Sequence, residues 1–274
     1  MPSQPVQPAQ SQSVQSPPLI SMRGIVKRFG GVTALDGVDF SVQAGEVHSL
    51  VGDNGAGKST LIKILCGVYE PDQGDILIEG QRVTIRNPRD ARQHGIEVIY
   101  QDLALVDEFS AVDNLYLGKE PRLQLGSWRL PLLDRGQMMR GARDIFKRVN
   151  INIPNLRQQV FYLSGGQRQG VAIGRAINAE QQIRLLIMDE PTAALGVEET
   201  GKVLELIRNL KAQGVTILVI SHNLDDVFAV SDRVTALKTG RWAATLSTHQ
   251  SSKEEVVSYI VGAKRAERGG GVIA

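Results

Sequence analysis

Several features are scarce in this 274-residue chain, and each scarcity removes a class of protein. Cys66 is the only cysteine, so no disulfide can form within the chain. It lies among Leu61, Ile62, Ile64 and Leu65, the setting of a packed core thiol rather than a reactive one. No apolar run approaches the ~20 residues of a membrane helix, so work at a membrane would need another chain to span it. Thirty-one Lys and Arg against 29 Asp and Glu leave a formal charge of +2. That balance lacks the one-sided field of a dedicated nucleic-acid binder, and no nucleic-acid partner is expected. Residues 1–18 contain no Lys or Arg and no apolar stretch, only Pro, Gln and Ser in quantity. They fail as a secretory signal and read as a disordered tail. A loose Gly- and Arg-rich tail is expected over 263–274.

What remains, 19–262, is long enough for one large α/β domain. Val32 to Val42 followed by Gly45 suggests strands and a turn, and Val47 to Val51 a short buried strand. A helix is expected from Lys58 to Cys66, with further strands at Ile76–Ile78 and within Gly95–Tyr100. Between Gln101 and Asn178 the character becomes helical, which predicts an inserted helical subdomain over about 102–178. Strand signals return at Leu185–Met188 and Thr216–Ile220. Between them Val203, Leu206, Ile207 and Leu210 form one helical face. Strand, helix, strand at this spacing argues for a mainly parallel sheet. A last helix is expected over Lys253–Val261.

The chemistry concentrates in short segments at the ends of these elements. Gly52, Asp53, Asn54, Gly55, Ala56, Gly57, Lys58 and Ser59 fit G-x-x-x-x-G-K-[ST] between an apolar strand and a helix, the context that pattern requires. Backbone N–H groups would wrap phosphates there, Lys58 would supply a mobile cation, and Ser59 would ligate Mg²⁺. Thr60 follows in the first helical turn. Leu185 to Met188 delivers Asp189 and Glu190 at a strand end. Downstream of a phosphate loop, Asp189 suits Mg²⁺ and Glu190 the polarisation of an attacking water. His222 and Gln101 each follow a strand, where an imidazole can reach a γ-phosphate and an amide can reach Mg²⁺ or water. Leu163, Ser164, Gly165, Gly166 and Gln167 open an apolar helix and offer a second place for phosphate. Taken singly, several of these have plainer readings: a capped helix start for Ser164, a structural histidine for His222, a packing aromatic for Phe29.

Together, and in this order, the motifs resemble the nucleotide-binding subunit of an ATP-binding cassette (ABC) transporter, over about 19–262. The resemblance implies a P-loop NTPase fold with an N-terminal antiparallel β region, ATP and Mg²⁺ as cofactors, and ATP hydrolysis coupled to transport. It implies that Phe29 stacks on adenine, that Gln101 is the glutamine loop and that His222 is the switch histidine. Leu163 to Gln167 becomes the family signature, which in a head-to-tail pair closes on ATP held by the phosphate loop of the other cassette. The implied partners are a second copy, transmembrane permease subunits touching residues between Asp102 and Asn114, and a periplasmic solute-binding protein. The implied location is the cytoplasmic face of the inner membrane. Gly196 stands where many cassettes carry Asp, and the Ala-Ala-Leu-Gly-Val form there resembles sugar-import cassettes of the single, fructose-importer type. The alternative class is a soluble cassette ATPase of DNA repair or translation, but neither a long coiled-coil insertion nor a second linked cassette is present.

Overall fold

The structure is a computed structural model that describes residues 16–125, 128–178, 182–193 and 195–264. Most of both expected tails therefore lies outside the described residues. In chain order the elements are β1 (Ile20–Phe29), β2 (Val32–Val42), β3 (Val47–Val51), α1 (Lys58–Leu65), β4 (Gln73–Ile78), β5 (Gln81–Val83), α2 (Pro88–Gln93) and β6 (Ile96–Ile99). There follow α3 (Ala111–Tyr116), β7 (Arg122–Leu125), β8 (Trp128–Leu133), α4 (Arg135–Arg148) and α5 (Gly165–Ile177). The chain closes through β9 (Leu185–Asp189), α6 (Val197–Ala212), β10 (Thr216–Ile220), α7 (Leu224–Val230), β11 (Arg233–Lys238), β12 (Arg241–Ser247) and α8 (Lys253–Val261).

The central sheet has the order β12-β11-β3-β10-β9-β6. All its pairings are parallel except β11 with β12. Strands β9 and β10 are nearly continuous apolar runs because both faces are covered. Alternation then sends neighbouring residues to different cores. Leu185 and Ile187 of β9, with Leu218 and Ile220 of β10, join the cluster that contains α1 and the N-terminal strands. Leu186, Met188, Ile217 and Val219 join the opposite cluster, built with α3, α4, α5 and α6. The antiparallel sheet β2-β1-β4-β5 supplies the rest of the first core.

The insert between β6 and β9 is not wholly helical. It carries a two-stranded antiparallel hairpin, β7–β8, in a stretch where the apolar residues alternate rather than recur at helical spacing. Cys66 is buried at the end of α1, and burial pushes its thiol up to about 12, which leaves it an inert core group.

Candidate functional site

In an open parallel sheet, the crevice outside the carboxyl ends of the strands is where ligands sit. The phosphate loop leaves β3 at that edge, held in shape by glycines that no other residue could replace. Gly57 has φ +100, and a Cβ there would meet Leu35 Cδ2 at 2.7 Å and the Ala34 carbonyl oxygen at 2.8 Å. Gly52, at φ +149, would drive a Cβ into the Leu237 carbonyl. The loop is thus clamped between β2 and β11 and further tied by Ala56 N–H to Asp53 O (3.0 Å) and Gly240 N–H to Ala56 O (3.1 Å). Asp53, Asn54, Gly55 and Ser59 are exposed, Thr60 is half-buried and Ala56 is buried.

Helix α1 starts at Gly57 with no side-chain cap. Its first N–H groups and the positive end of the helix therefore face the loop's concavity, an arrangement that accepts anions. The Lys58 ammonium lies across the loop, donating to the carbonyls of Gly52 (2.6 Å) and Asp53 (3.1 Å). Burial lowers its pKa, while Glu190, Asp53 and Asp189 favour its charge.

Two strands over, β9 ends at Asp189, whose carboxyl is raised by burial and by the neighbouring Glu190 charge, against Lys58 and Lys63. Glu190 takes a left-handed backbone, φ +49, with its N–H bonded to Ile220 O (2.9 Å). Such a conformation in a non-glycine residue is costly and gathers at functional sites. Its carboxylate lies 2.9 Å from His222 Nδ1, in the loop after β10. Gln101 is exposed beyond β6. It follows the end of β6, the strand that pairs with β9 up to Ile99 opposite Met188.

Lys58, Asp189, Glu190 and His222 thus lie along one sheet edge, after β3, β9 and β10, and Gln101 follows the neighbouring strand β6 without a contact to them. Among the described residues no group of three His, Cys, Asp or Glu is arranged to hold a metal unaided. The oxygens available, the Ser59 hydroxyl and Asp189 carboxylate, instead fit Mg²⁺ that retains water and arrives on phosphate oxygens.

Phe29 ends β1 at the hairpin leading into β2, partly exposed, with its ring edge-on to Tyr69 (centroids 5.1 Å) and Lys27 Nζ 5.6 Å from its centroid. Tyr69 and Lys27 escaped sequence reading, because nothing in the local pattern links a residue after α1 to the end of β1.

The signature segment is a second glycine-rich helix start with the opposite solution. Ser164 caps α5 in a capping box: its Oγ accepts from Gln167 N–H (3.4 Å), and Gln167 Oε1 accepts from Ser164 N–H (3.1 Å). Gln167 also donates to Asn152 O (3.2 Å), and Ser164 is exposed. Gly165 has a reason within its own chain to be glycine, since a Cβ would stand 2.5 Å from Leu195 Cδ2; Gly166 has room. The neighbours of Gly165, Leu195 and Glu199, belong to the segment after β9, whereas those of the phosphate loop belong to β2 and the β11–β12 turn. The fold does not give the two helix starts common surroundings.

Comparison with known proteins agrees with this architecture. Residues 35–193 match the family model described as ABC transporter. The chain is 44% identical to the fructose import ATP-binding protein FrcA of Rhizobium meliloti, over 92% of this chain and 96% of that one. It is 46% identical to a ribose import ATP-binding protein of Rubrobacter xylanophilus over 89% of this chain, but spans only 47% of that longer protein. Among solved structures, the ADP conformation of MJ1267, an ATP-binding cassette of an ABC transporter, superimposes with TM-score 0.74 at 28% identity, covering 89% of this chain and 95% of that one. The clamped phosphate loop, the acidic strand end and these relatives lead to one conclusion: the chain belongs to the ABC transporter family, as one of its ATP-binding, ATP-hydrolysing subunits.

Proposed function

We propose that this protein drives a sugar importer, two copies closing around two Mg-ATP and reopening after hydrolysis. The observation that carries the reading is the convergence of Lys58, Asp189 and the Glu190–His222 pair at one strand-end edge beside an uncapped helix. Lys58 and the N–H groups from Gly52 to Thr60 hold the phosphates. Ser59, Asp189 and Gln101 would hold Mg²⁺, whose charge when bound would offset that of the phosphates. Glu190 orients and polarises water, His222 hydrogen-bonds the γ-phosphate side, and Phe29 packs on the base.

Ser164, Gly165, Gly166 and Gln167 complete the site of the other copy. The Ser164 oxygen already accepts within its own helix, so its hydroxyl proton remains to be donated outward. Closure then depends on ATP touching both protomers, and loss of the γ-phosphate removes the bridge. Sugar as cargo is supported by the names of the relatives, which are import ATP-binding proteins for fructose and ribose, and those names speak against a role in DNA repair or translation. Permease subunits, docking near Asp102–Asn114, and a periplasmic solute-binding protein complete the system at the cytoplasmic face of the inner membrane.

Ser164→Arg tests the paired site. ATP should still bind each monomer, and hydrolysis should fall to background because closure is blocked. Unchanged hydrolysis would remove the signature from the partner's site.

A further inference from the structure

Glu190 is held in a costly left-handed backbone, so the surrounding structure must fix it firmly. Its N–H is tied to Ile220 O (2.9 Å), and Ala193 N–H bonds back to its carbonyl (3.1 Å), closing a tight turn over 190–193. Inside that turn lies Thr192, half-buried, whose hydroxyl donates to Asp226 Oδ2 at 2.6 Å. Asp226 is only 8% exposed and stands in the first turn of α7, where the positive end of a helix favours a carboxylate. A buried carboxylate is costly unless it is hydrogen-bonded. Among the described residues, the Thr192 hydroxyl is the one side-chain group that donates to it.

Asn223 opens α7 directly after His222, its side chain accepting from Asp225 N–H (2.9 Å). The turn that carries Glu190 and the helix that follows His222 are therefore joined twice. One link is the Glu190–His222 pair at 2.9 Å, with the imidazole open to solvent. The other is Thr192–Asp226, which lies deeper. The exposed link is made by groups that the reaction itself engages, since Glu190 is to meet water and His222 the γ-phosphate. Thr192 and Asp226 have no such task, and their bond can stay closed throughout turnover.

We propose that Thr192 and Asp226 are positioning residues for hydrolysis, their hydrogen bond holding the Glu190 carboxylate in register with His222 while both engage water and nucleotide. The proposal deepens the reading of Glu190 as the group that orients water, and rests on it. The Ile220 bond fixes where the turn begins; the Asp226 bond fixes where it goes. A carboxylate that drifts loses rate rather than binding, because misplacement by about 1 Å costs up to ~10²-fold in turnover, whereas the phosphates are held by Lys58 and the phosphate loop.

The test measures steady-state ATP hydrolysis and ATP affinity of the full chain and its variants. Thr192→Val keeps the shape and removes the donor, so turnover should fall about tenfold with KM for ATP unchanged. Thr192→Ser restores the hydroxyl and should restore turnover. Asp226→Ala removes the acceptor and should reproduce the loss, and joining it to Thr192→Val should add nothing further. The proposal is overturned by parental turnover in either single variant, by a rise in KM in place of a fall in turnover, by Thr192→Ser as slow as Thr192→Val, or by losses that multiply in the double variant. Glu190→Gln separates this role from the reading beneath it. Lost hydrolysis there with parental turnover in Thr192→Val removes the positioning role alone, whereas parental hydrolysis in Glu190→Gln removes the catalytic reading of Glu190 and this proposal with it.

Discussion

Two glutamate–histidine pairs flank the same parallel sheet at the same 2.9 Å separation, and they serve opposite ends. Glu190–His222 lies beyond the carboxyl ends of β9 and β10, with the histidine side chain 75% exposed. Glu46–His48 lies at the start of β3, with the histidine fully buried. The buried pair is closed on every side. Because an ionised carboxylate only accepts, His48 Nδ1–H donates to Glu46, leaving Nε2 of a neutral ring to accept from the Thr235 hydroxyl at 2.7 Å. Thr235 then accepts from Thr245 (2.8 Å), which accepts from the Trp242 indole N–H (3.0 Å). Glu46 also accepts from Gln43 N–H (2.8 Å) and lies 3.4 Å from Arg233 Nη1. Residue type and distance do not separate a reacting pair from a structural one; access and unfilled hydrogen-bond capacity do.

The largest expected effect breaks the open pair. Glu190→Gln keeps the shape and removes the charge proposed to polarise water, so turnover should fall by about 10²–10⁴ while ATP binding and melting temperature stay put. Hydrolysis near the parental rate would take Glu190 out of the chemistry.

Breaking the closed pair should instead cost stability. Glu46→Ala leaves the buried His48 ring and Arg233 without their acceptor, a loss of about 3 kcal/mol on the scale of broken buried pairs. Denaturant titration measures it, and the folded fraction should bind ATP as before. A loss below about 1 kcal/mol would mean that the network is not a closed one.

The open pair was legible from the sequence and the closed one was not, for a physical reason. Glu190 and His222 each follow a continuous apolar strand, and a strand buried on both faces announces its own end. His48 sits inside such a strand, and its partner Thr235 lies 187 residues away, beyond any local pattern. The same rule sorts the fold. Strands β3, β6, β9 and β10 and the apolar face of α6 could be read directly. Strand β11, the edge strand β12 and the β7–β8 hairpin could not: β11 is bounded by Arg233 and Lys238 and interrupted by Thr235, and β12 and the hairpin carry mixed polar and apolar patterns. At the phosphate loop the motif named the residues but not the clamp, since Leu35, Leu237 and Gly240 approach it from distant strands.

Acid should expose the closed pair next. Burial holds His48 below its ordinary 6.5, against the pull of Glu46. Below pH 6.5 the unfolded chain therefore binds a proton that the native chain refuses. Stability is full above 6.5 and is lost as pH falls toward the folded-state value. Burial alone would raise Glu46, but the His48 and Gln43 N–H donors and the Arg233 charge outweigh it and hold it below 4.5. Its contribution is present above 4.5 and disappears at lower pH. Melting temperature should thus begin to fall already below pH 6.5, and His48→Gln, which cannot titrate, should lack that first decline. An identical decline in His48→Gln would assign it to other groups.

The smallest effect sharpens the comparison most. His222→Ala removes a pair with the same 2.9 Å geometry as Glu46–His48, yet the imidazole is solvated, and an exposed pair contributes only about 0–1 kcal/mol. Glu190 keeps its backbone bond to Ile220, so its position does not depend on the histidine. The melting temperature of His222→Ala should therefore match the parent within error, while turnover should drop through loss of the hydrogen bond proposed from His222 to the γ-phosphate side. A destabilisation comparable to that of Glu46→Ala would show that His222 holds the loop after β10 in place. Its value would then lie in packing, as that of His48 does, and the contrast between the two edges of the sheet would fail.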